Sequence, residues 1–424
     1  MRPQTELFHD HVTINIDKKL SELPYGHQEP FIFKVFDRYR NQKDKAYEPE
    51  LLVIGPYNRG KDILIHTIED HKLRYLHLLL ERRRESNAKR YVEAIREVEE
   101  RARRCYATAF GLETDQFVEL LILDGLFIVE LCRKFSNRSL VDKYDVIFKM
   151  NWIHHVLWRD MMLFENQIPF FVVDKLFQMT KNNEESGDDN CLMKPSDRVE
   201  PKNVKHILGL IYHLTTRSIS EKLSTERNHI NEKARWELID NTTELHKAGI
   251  QLITKPNCPS FNVIFSKGTL EIPPIIIEEK TEGFLRNLIA YEQCQEENSP
   301  RVITDFTTLL CCLIKSSNDV GLLRKYGILN NLIGDDESAS RVISSLSSSV
   351  FVSHDGFCYK EVFIGVNNYY KKRRNEWVAN LWKNYFKTPW TTISCFAALV
   401  LLLLTFGQTL AGLVPFLGLA HHPP

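Results

Sequence analysis

The sequence predicts a mainly α-helical soluble body with a small β-hairpin element, followed by one C-terminal transmembrane helix. Three observations carry this. Apolar residues recur at steps of three and four through much of the chain. One stretch, 261–272, alternates instead. The segment 388–424 contains no Lys, Arg, Asp or Glu.

In chain order, the first helical pattern is 91–106, where Val92, Ile95, Val98, Ala102 and Cys105 line one face and Glu and Arg the other. Residues 117–135 are apolar nearly all round, which marks a central buried helix. An amphipathic pattern over 233–248 predicts a helix ending at Gly249. Ser299 and Pro300 open a helical stretch toward Ser316, and Asn318 or Asp319 can cap the next helix. Asp335 and Asp336 can cap a helix that runs to Val350.

The β signal is local. Phe261, Val263 and Phe265 alternate with other side chains, Ser266, Lys267 and Gly268 can turn, and Leu270 and Ile272 continue until Pro273 and Pro274 stop the hairpin. A shorter strand is expected over 51–54.

The C-terminal run 393–419 is mostly apolar, and a bilayer core needs roughly 20 such residues as a helix. Trp390, Ile393, Phe396, Leu399, Leu401, Leu402, Leu403, Leu404, Phe406 and Leu410 are the expected anchor residues, with the lipid bilayer as their partner. Six cations, from Lys371 to Lys387, precede the run and none follows it. The positive-inside bias therefore puts the body in the cytosol and the His421–Pro424 tail across the membrane, with the plasma membrane one candidate. The organisation that results is a polar segment over 1–30, a helical body over 31–387 with a mobile loop at 181–202, and an anchor over 388–420. The body is either one domain with an insertion or two lobes divided near that loop.

Composition narrows the function classes. The 424 residues carry 55 Lys+Arg against 55 Asp+Glu, so no overall field draws nucleic acid. The N-terminus lacks an apolar run after a basic start, which argues against a cleaved signal. Nine scattered cysteines without a C-x-x-C pair read as reduced thiols and disfavour structural zinc, and no metal or cofactor is expected. Two sequons, at Asn137 and Asn241, matter only if the topology is reversed.

Three motifs invite a chemical reading. Gly55 to Lys61 approaches a phosphate loop, but Asp62 stands where Ser or Thr would hold magnesium and Pro56 removes an N–H, which argues against nucleotide. The block 159–171 holds Asp160, Glu165, Asn166 and Gln167 beside Pro169. If buried, these groups must find internal partners, and the bland expectation is that they satisfy the end of one helix and the start of the next. An acid/base pair from Asp160 and Glu165 is the sharper alternative, although five helical residues separate their faces. His71 is a further catalytic candidate without metal spacing. No catalytic residue is assigned from the sequence alone.

The chain resembles the plant family called domain of unknown function 247. The matching residues are Ile54-Gly55-Pro56-Tyr57 with Gly60; Glu69-Asp70-His71-Lys72 with Arg74-Tyr75-Leu76; and Leu123-Asp124-Gly125 with Phe127-Ile128 and Glu130-Leu131. Further along they are Arg159 through Phe171, Leu270-Glu271-Ile272-Pro273-Pro274, Arg286 through Cys294, and Asp319 through Asp336. The Glu165-Asn166-Gln167-Ile168-Pro169-Phe170-Phe171 core is the most specific. The resemblance implies a plant membrane protein of undefined biochemistry, with members implicated in self-incompatibility recognition or in growth and stress responses, and it transfers no catalytic residues. The expected function is a recognition or signalling scaffold with a protein partner. A hydrolase or transferase using Asp160, Glu165 or His71 is the alternative.

Overall fold

The computed structural model describes residues 10–21, 30–60, 66–181, 204–226, 236–255, 260–296, 299–350, 356–372 and 389–418. Lys61 and Asp62, and the expected mobile loop apart from Lys181, lie outside them. The helices in the first half are α1 (His11–Ser21), α2 (Asp37–Arg40), α3 (His66–Arg83), α4 (Lys89–Arg96), α5 (Glu99–Arg104), α6 (Thr114–Ser136), α7 (Val146–Lys149), α8 (Asn151–Met161), α9 (Phe170–Met179) and α10 (Ile207–Glu226). There follow α11 (Thr242–Lys247), strands β1 (Gln251–Thr254), β2 (Ile264–Ser266), β3 (Thr269–Ile272) and β4 (Ile275–Ile277), and α12 (Thr281–Gln293). The chain continues through α13 (Val302–Leu313), α14 (Ser317–Lys325), β5 (Leu329–Asn331), α15 (Asp336–Leu346), α16 (Lys360–Tyr370) and α17 (Pro389–Gly418). It divides into two compact units, Met1–Arg217 with Lys280–Ser299, and Ser218–Glu279 with Pro300–Pro424.

The first unit is organised by α6. A capping box of Glu113 and Gln116 starts it, and almost every side chain from Phe117 to Lys134 is buried, as its apolar circumference predicts. It packs on α3, α4 and α9. Gly125 permits the α9 contact: a Cβ there would sit 2.4 Å from Leu176 Cδ1. Four charged residues of this helix are buried, and each has a partner. The Glu130 carboxylate accepts both Arg82 guanidinium nitrogens at 2.8 and 2.9 Å and also pairs with Arg133. Lys134 donates to Asp145 at 2.7 Å. The fourth, Asp124, belongs to the site described below. The expected helix over 91–106 is two helices, α4 and α5, broken where Val98 leaves helical dihedrals at φ −115° and ψ 1°.

In the second unit, β1 pairs parallel with β3, and β2 pairs antiparallel with it, in the order β1-β3-β2. The β2–β3 connection is the expected turn. Lys267 and Gly268 both have positive φ, 50° and 85°, as a tight two-residue hairpin requires. Past Pro273 and Pro274, β4 pairs parallel with β5 in a separate sheet. Of the helix expected over 233–248, residues 233–235 lie outside the described residues and the described part is helical only in α11, because the Asn241 side chain accepts Glu244 N–H at 2.9 Å and caps it there. Upstream, Trp236 is buried and stacks on Phe357 at 4.2 Å. The helix does end at Gly249, where φ is +86°. Ser316, rather than Asn318 or Asp319, is the N-cap of α14, with Asp319 closing its capping box. Asp335 caps α15 as expected.

The C-terminal expectation is corrected. The uncharged segment does form a helix, α17, and Ile393, Phe396, Leu399, Leu401, Leu402, Leu403, Leu404 and Phe406 are exposed on it. The side chains of Trp390 and Leu410 lie outside the described residues. Among the described residues, no helix is long and apolar enough to cross a membrane, so a transmembrane helix is not supported. The physical reason visible among the described residues is polarity: polar side chains recur along the apolar run. Within it Thr405 and Thr409 donate to main-chain carbonyls one turn back, at 2.7 and 2.8 Å, and Gln408 adds a carboxamide.

Candidate functional site

The segment 50–57 was expected to hold a strand at 51–54. Among the described residues it pairs with no strand, and its main-chain groups are met by buried side chains instead. Asp160, in the last turn of α8, accepts the N–H groups of Glu50, Leu51 and Leu52 at 3.1, 2.8 and 2.9 Å. The Asn166 carboxamide accepts Ile54 N–H at 2.7 Å and donates to Leu52 O at 2.8 Å and Asp160 O at 2.9 Å. Lys72, on α3, donates to Val53 O at 2.6 Å. Asp124 accepts Gly55 N–H at 2.8 Å. Four side chains from α3, α6, α8 and the loop after α8 thus do what neighbouring strands would do.

Lys72 and Asp124 are themselves paired. The Lys72 Nζ lies 2.6 Å from Asp124 Oδ1 and 2.5 Å from Glu69 Oε1, with Lys72 and Asp124 both 1% exposed. Its three acceptors match the three donors of an ammonium. Burial pushes the Asp124 carboxyl above its usual range, against the pull of Lys72 and of the Gly55 N–H.

Gly55 has φ +71°, and a Cβ there would meet Gln167 O at 2.4 Å. This position therefore needs glycine. Its N–H, which a phosphate loop would offer to a ligand, is taken by Asp124. Tyr57 closes the segment, accepting Thr108 N–H at 3.0 Å and packing edge-on to Tyr106 at 5.4 Å.

The rest of the 165–169 block closes the neighbourhood. Glu165 accepts Val35 N–H and pairs with Arg40 at 2.7 Å. Gln167 donates to Met161 O and Leu163 O at 2.7 and 2.8 Å and accepts Leu208 N–H at 3.2 Å, joining the end of α8 to the start of α10. This meets the bland expectation for these amides and adds to it the whole 50–57 segment.

The catalytic candidates are not brought together. Asp160 serves residues 50–52, and Glu165, beyond the end of α8, serves Val35 and Arg40. Burial raises the Asp160 carboxyl above its usual range, opposed by the three N–H donors and Arg159. His71 precedes Lys72 on α3; burial lowers its pKa while Asp145 pulls the other way. Among the described residues no hydrogen bond or ion pair joins His71 to Asp160 or Glu165, and no cluster of His, Cys, Asp and Glu could hold a metal. Among the described residues, no disulfide joins Cys105, Cys132, Cys294, Cys311, Cys312 or Cys358.

Two members of this framework escape a reading of the sequence for catalysis. Asn287 accepts Phe164 N–H at 2.8 Å and donates to Ala46 O at 2.9 Å. Arg40 reaches Glu165 from a different part of the chain. The charges inside the apolar run of α6 were a usable signal for Asp124, because a buried charge demands a partner.

Comparison with known proteins agrees with the residue blocks. A family model described as a plant protein of unknown function matches residues 32–404. The UPF0481 protein At3g47200 of Arabidopsis thaliana is 27% identical, covering 92% of this chain and 88% of its own length. The putative UPF0481 protein At3g02645 of Arabidopsis thaliana is 24% identical, covering 92% of this chain and 91% of its own. No solved structure matches the chain.

Proposed function

Given that the chain belongs to the DUF247 family of plant proteins of unknown function, we propose that it serves as a non-catalytic recognition or signalling scaffold. One observation supports this reading: the polar side chains of the 159–171 block are engaged with the protein's own main chain. A general acid or base must reach a proton on its substrate. Asp160 and Glu165 are 0% and 3% exposed, and their oxygens already face backbone N–H groups and arginines. Groups held in this way give a rigid framework on which outer surfaces are carried.

The test has two arms. The purified protein is offered ester, amide, phosphate and glycoside substrates beside its Asp160→Asn and Glu165→Gln variants, and proximity labelling in plant cells looks for protein partners. The proposal expects no turnover that either folded variant abolishes, and the same partner in independent labelling experiments. Turnover by the wild type that is lost in Glu165→Gln without a change in melting temperature would overturn it.

A further inference from the structure

Around the C-terminal end of α6, the segment 137–150 and α8, large apolar side chains stand in solvent although the faces beneath them are filled. Ile147, Ile153 and Leu157 are buried, whereas Phe135, Tyr144, Met150, Trp152 and Trp158 are exposed, Tyr144 and Trp152 by more than half. Such a concentration of exposed aromatic surface is unusual for a face with no partner. Phe135, Phe148 and His154 form a three-ring cluster with centroids 5.0–5.1 Å apart. Trp158 follows His154 by one helical turn and so extends the cluster along α8.

Cations lie on these rings. Arg138 is 4.9 Å from the Phe148 centroid and 5.2 Å from that of Phe135. Lys143 and Lys149 lie 4.6 and 5.6 Å from the Tyr144 centroid. All three are exposed, and among the described residues none of them makes an ion pair. The acids of the same segment are engaged elsewhere: Asp142 with Arg74 at 3.3 Å, and Asp145 with Lys134 at 2.7 Å. The face is therefore aromatic, cationic and without a counter-charge, in a chain whose total charge is balanced.

We propose that this face binds an acidic segment of a partner protein, with carboxylates on Arg138, Lys143 and Lys149 and apolar side chains between them on the aromatic rings. This rests on the scaffold reading and supplies the chemistry of its partner. Charge complementarity selects the occupant. A carboxylate reaching any of these cations gains an ion pair that the protein itself does not provide, and the ring beneath keeps the cation in place. Aromatic side chains and Arg at the centre of a patch are the groups on which protein interfaces concentrate their affinity.

The probe is a fluorescein-labelled peptide of alternating Glu and Leu, followed by fluorescence anisotropy with the full chain. Phosphatidylserine–phosphatidylcholine vesicles and oligodeoxythymidine are tested in parallel. The expected result is saturable binding of the peptide that weakens with salt, and that falls about tenfold or more in the Arg138→Glu/Lys143→Glu/Lys149→Glu variant. Trp158→Ala should weaken it without changing the salt dependence. Lys143→Gln/Lys149→Gln gives the same direction should the triple variant fail to fold. Absence of peptide binding, binding that survives charge reversal, or tighter binding to the vesicles or the oligonucleotide would overturn the proposal. A partner captured in plant cells equally well by the charge-reversed protein would sink this surface and leave the scaffold reading standing.

Discussion

The carboxamide of Asn166 pairs with the main chain beside Ile54 as a neighbouring strand would, accepting Ile54 N–H at 2.7 Å and donating to Leu52 O at 2.8 Å. A side chain that closes both bonds of an extended segment cannot be trimmed without stranding backbone groups in a dry interior. Asn166→Ala should destabilise the protein by about 2–4 kcal/mol. Asn166→Asp should cost more, because it turns a carboxylate toward Leu52 O and Asp160 O. Urea unfolding of both variants against the wild type measures the difference.

Lys72 anchors the same segment from α3. Lys72→Met would leave the Asp124 carboxylate buried beside an apolar chain, at a cost of about 3–5 kcal/mol. Lys72→Met combined with Asp124→Asn should recover part of that loss, since Asn still accepts Gly55 N–H and no buried charge remains. The coupling read from a double-mutant cycle checks it; additive losses would mean the two side chains do not interact.

Gly55 joins these groups at close quarters. With φ +71° and Gln167 O 2.4 Å from a built Cβ, Gly55→Ala should destabilise by more than about 1 kcal/mol. The same change at Gly60, which also has positive φ but no atom within 4 Å of its Cβ, should cost less. Melting temperatures of the two variants provide the comparison.

His206 gives a pH signature. Burial lowers its pKa from 6.5 to about 3, so the folded protein refuses a proton that the unfolded chain accepts between those values. The His206 contribution is whole above pH 6.5 and is lost as pH falls toward 3, by at most about 1.4 kcal/mol per unit. His206→Asn, which keeps an acceptor for the Gly209 N–H that Nδ1 takes at 3.1 Å, should flatten the acid side of the stability profile. Denaturant titrations at a series of pH values would show it.

Much of the fold was legible because it rests on local signals. The apolar circumference of 117–135 specifies a buried helix, although Phe135 at its end is exposed, and alternation with Lys267-Gly268 specifies a hairpin. The block 159–171 was recognisable as polar groups in need of internal partners. What they hold was not, because the 50–57 segment lies more than a hundred residues away from Asp160 and Asn166. Apolar residues at 51–54 imitate a strand, and no local pattern distinguishes pairing with a strand from pairing with side chains. The division of 91–106 at Val98 and the confinement of α11 by Asn241 are departures of the same kind, where a cap or a tertiary contact overrides periodicity. The apolar run at the C-terminus misled in another way, since its composition suggested a membrane span that no described helix provides.

The most direct measurement is hydrogen–deuterium exchange of the peptide covering residues 50–57, in the wild type and in Asn166→Ala. The account predicts amides at Leu51, Leu52, Ile54 and Gly55 that are protected in the wild type nearly as well as those of α6, and markedly less so in the variant. Exchange in the wild type at the rate of an open loop would contradict it.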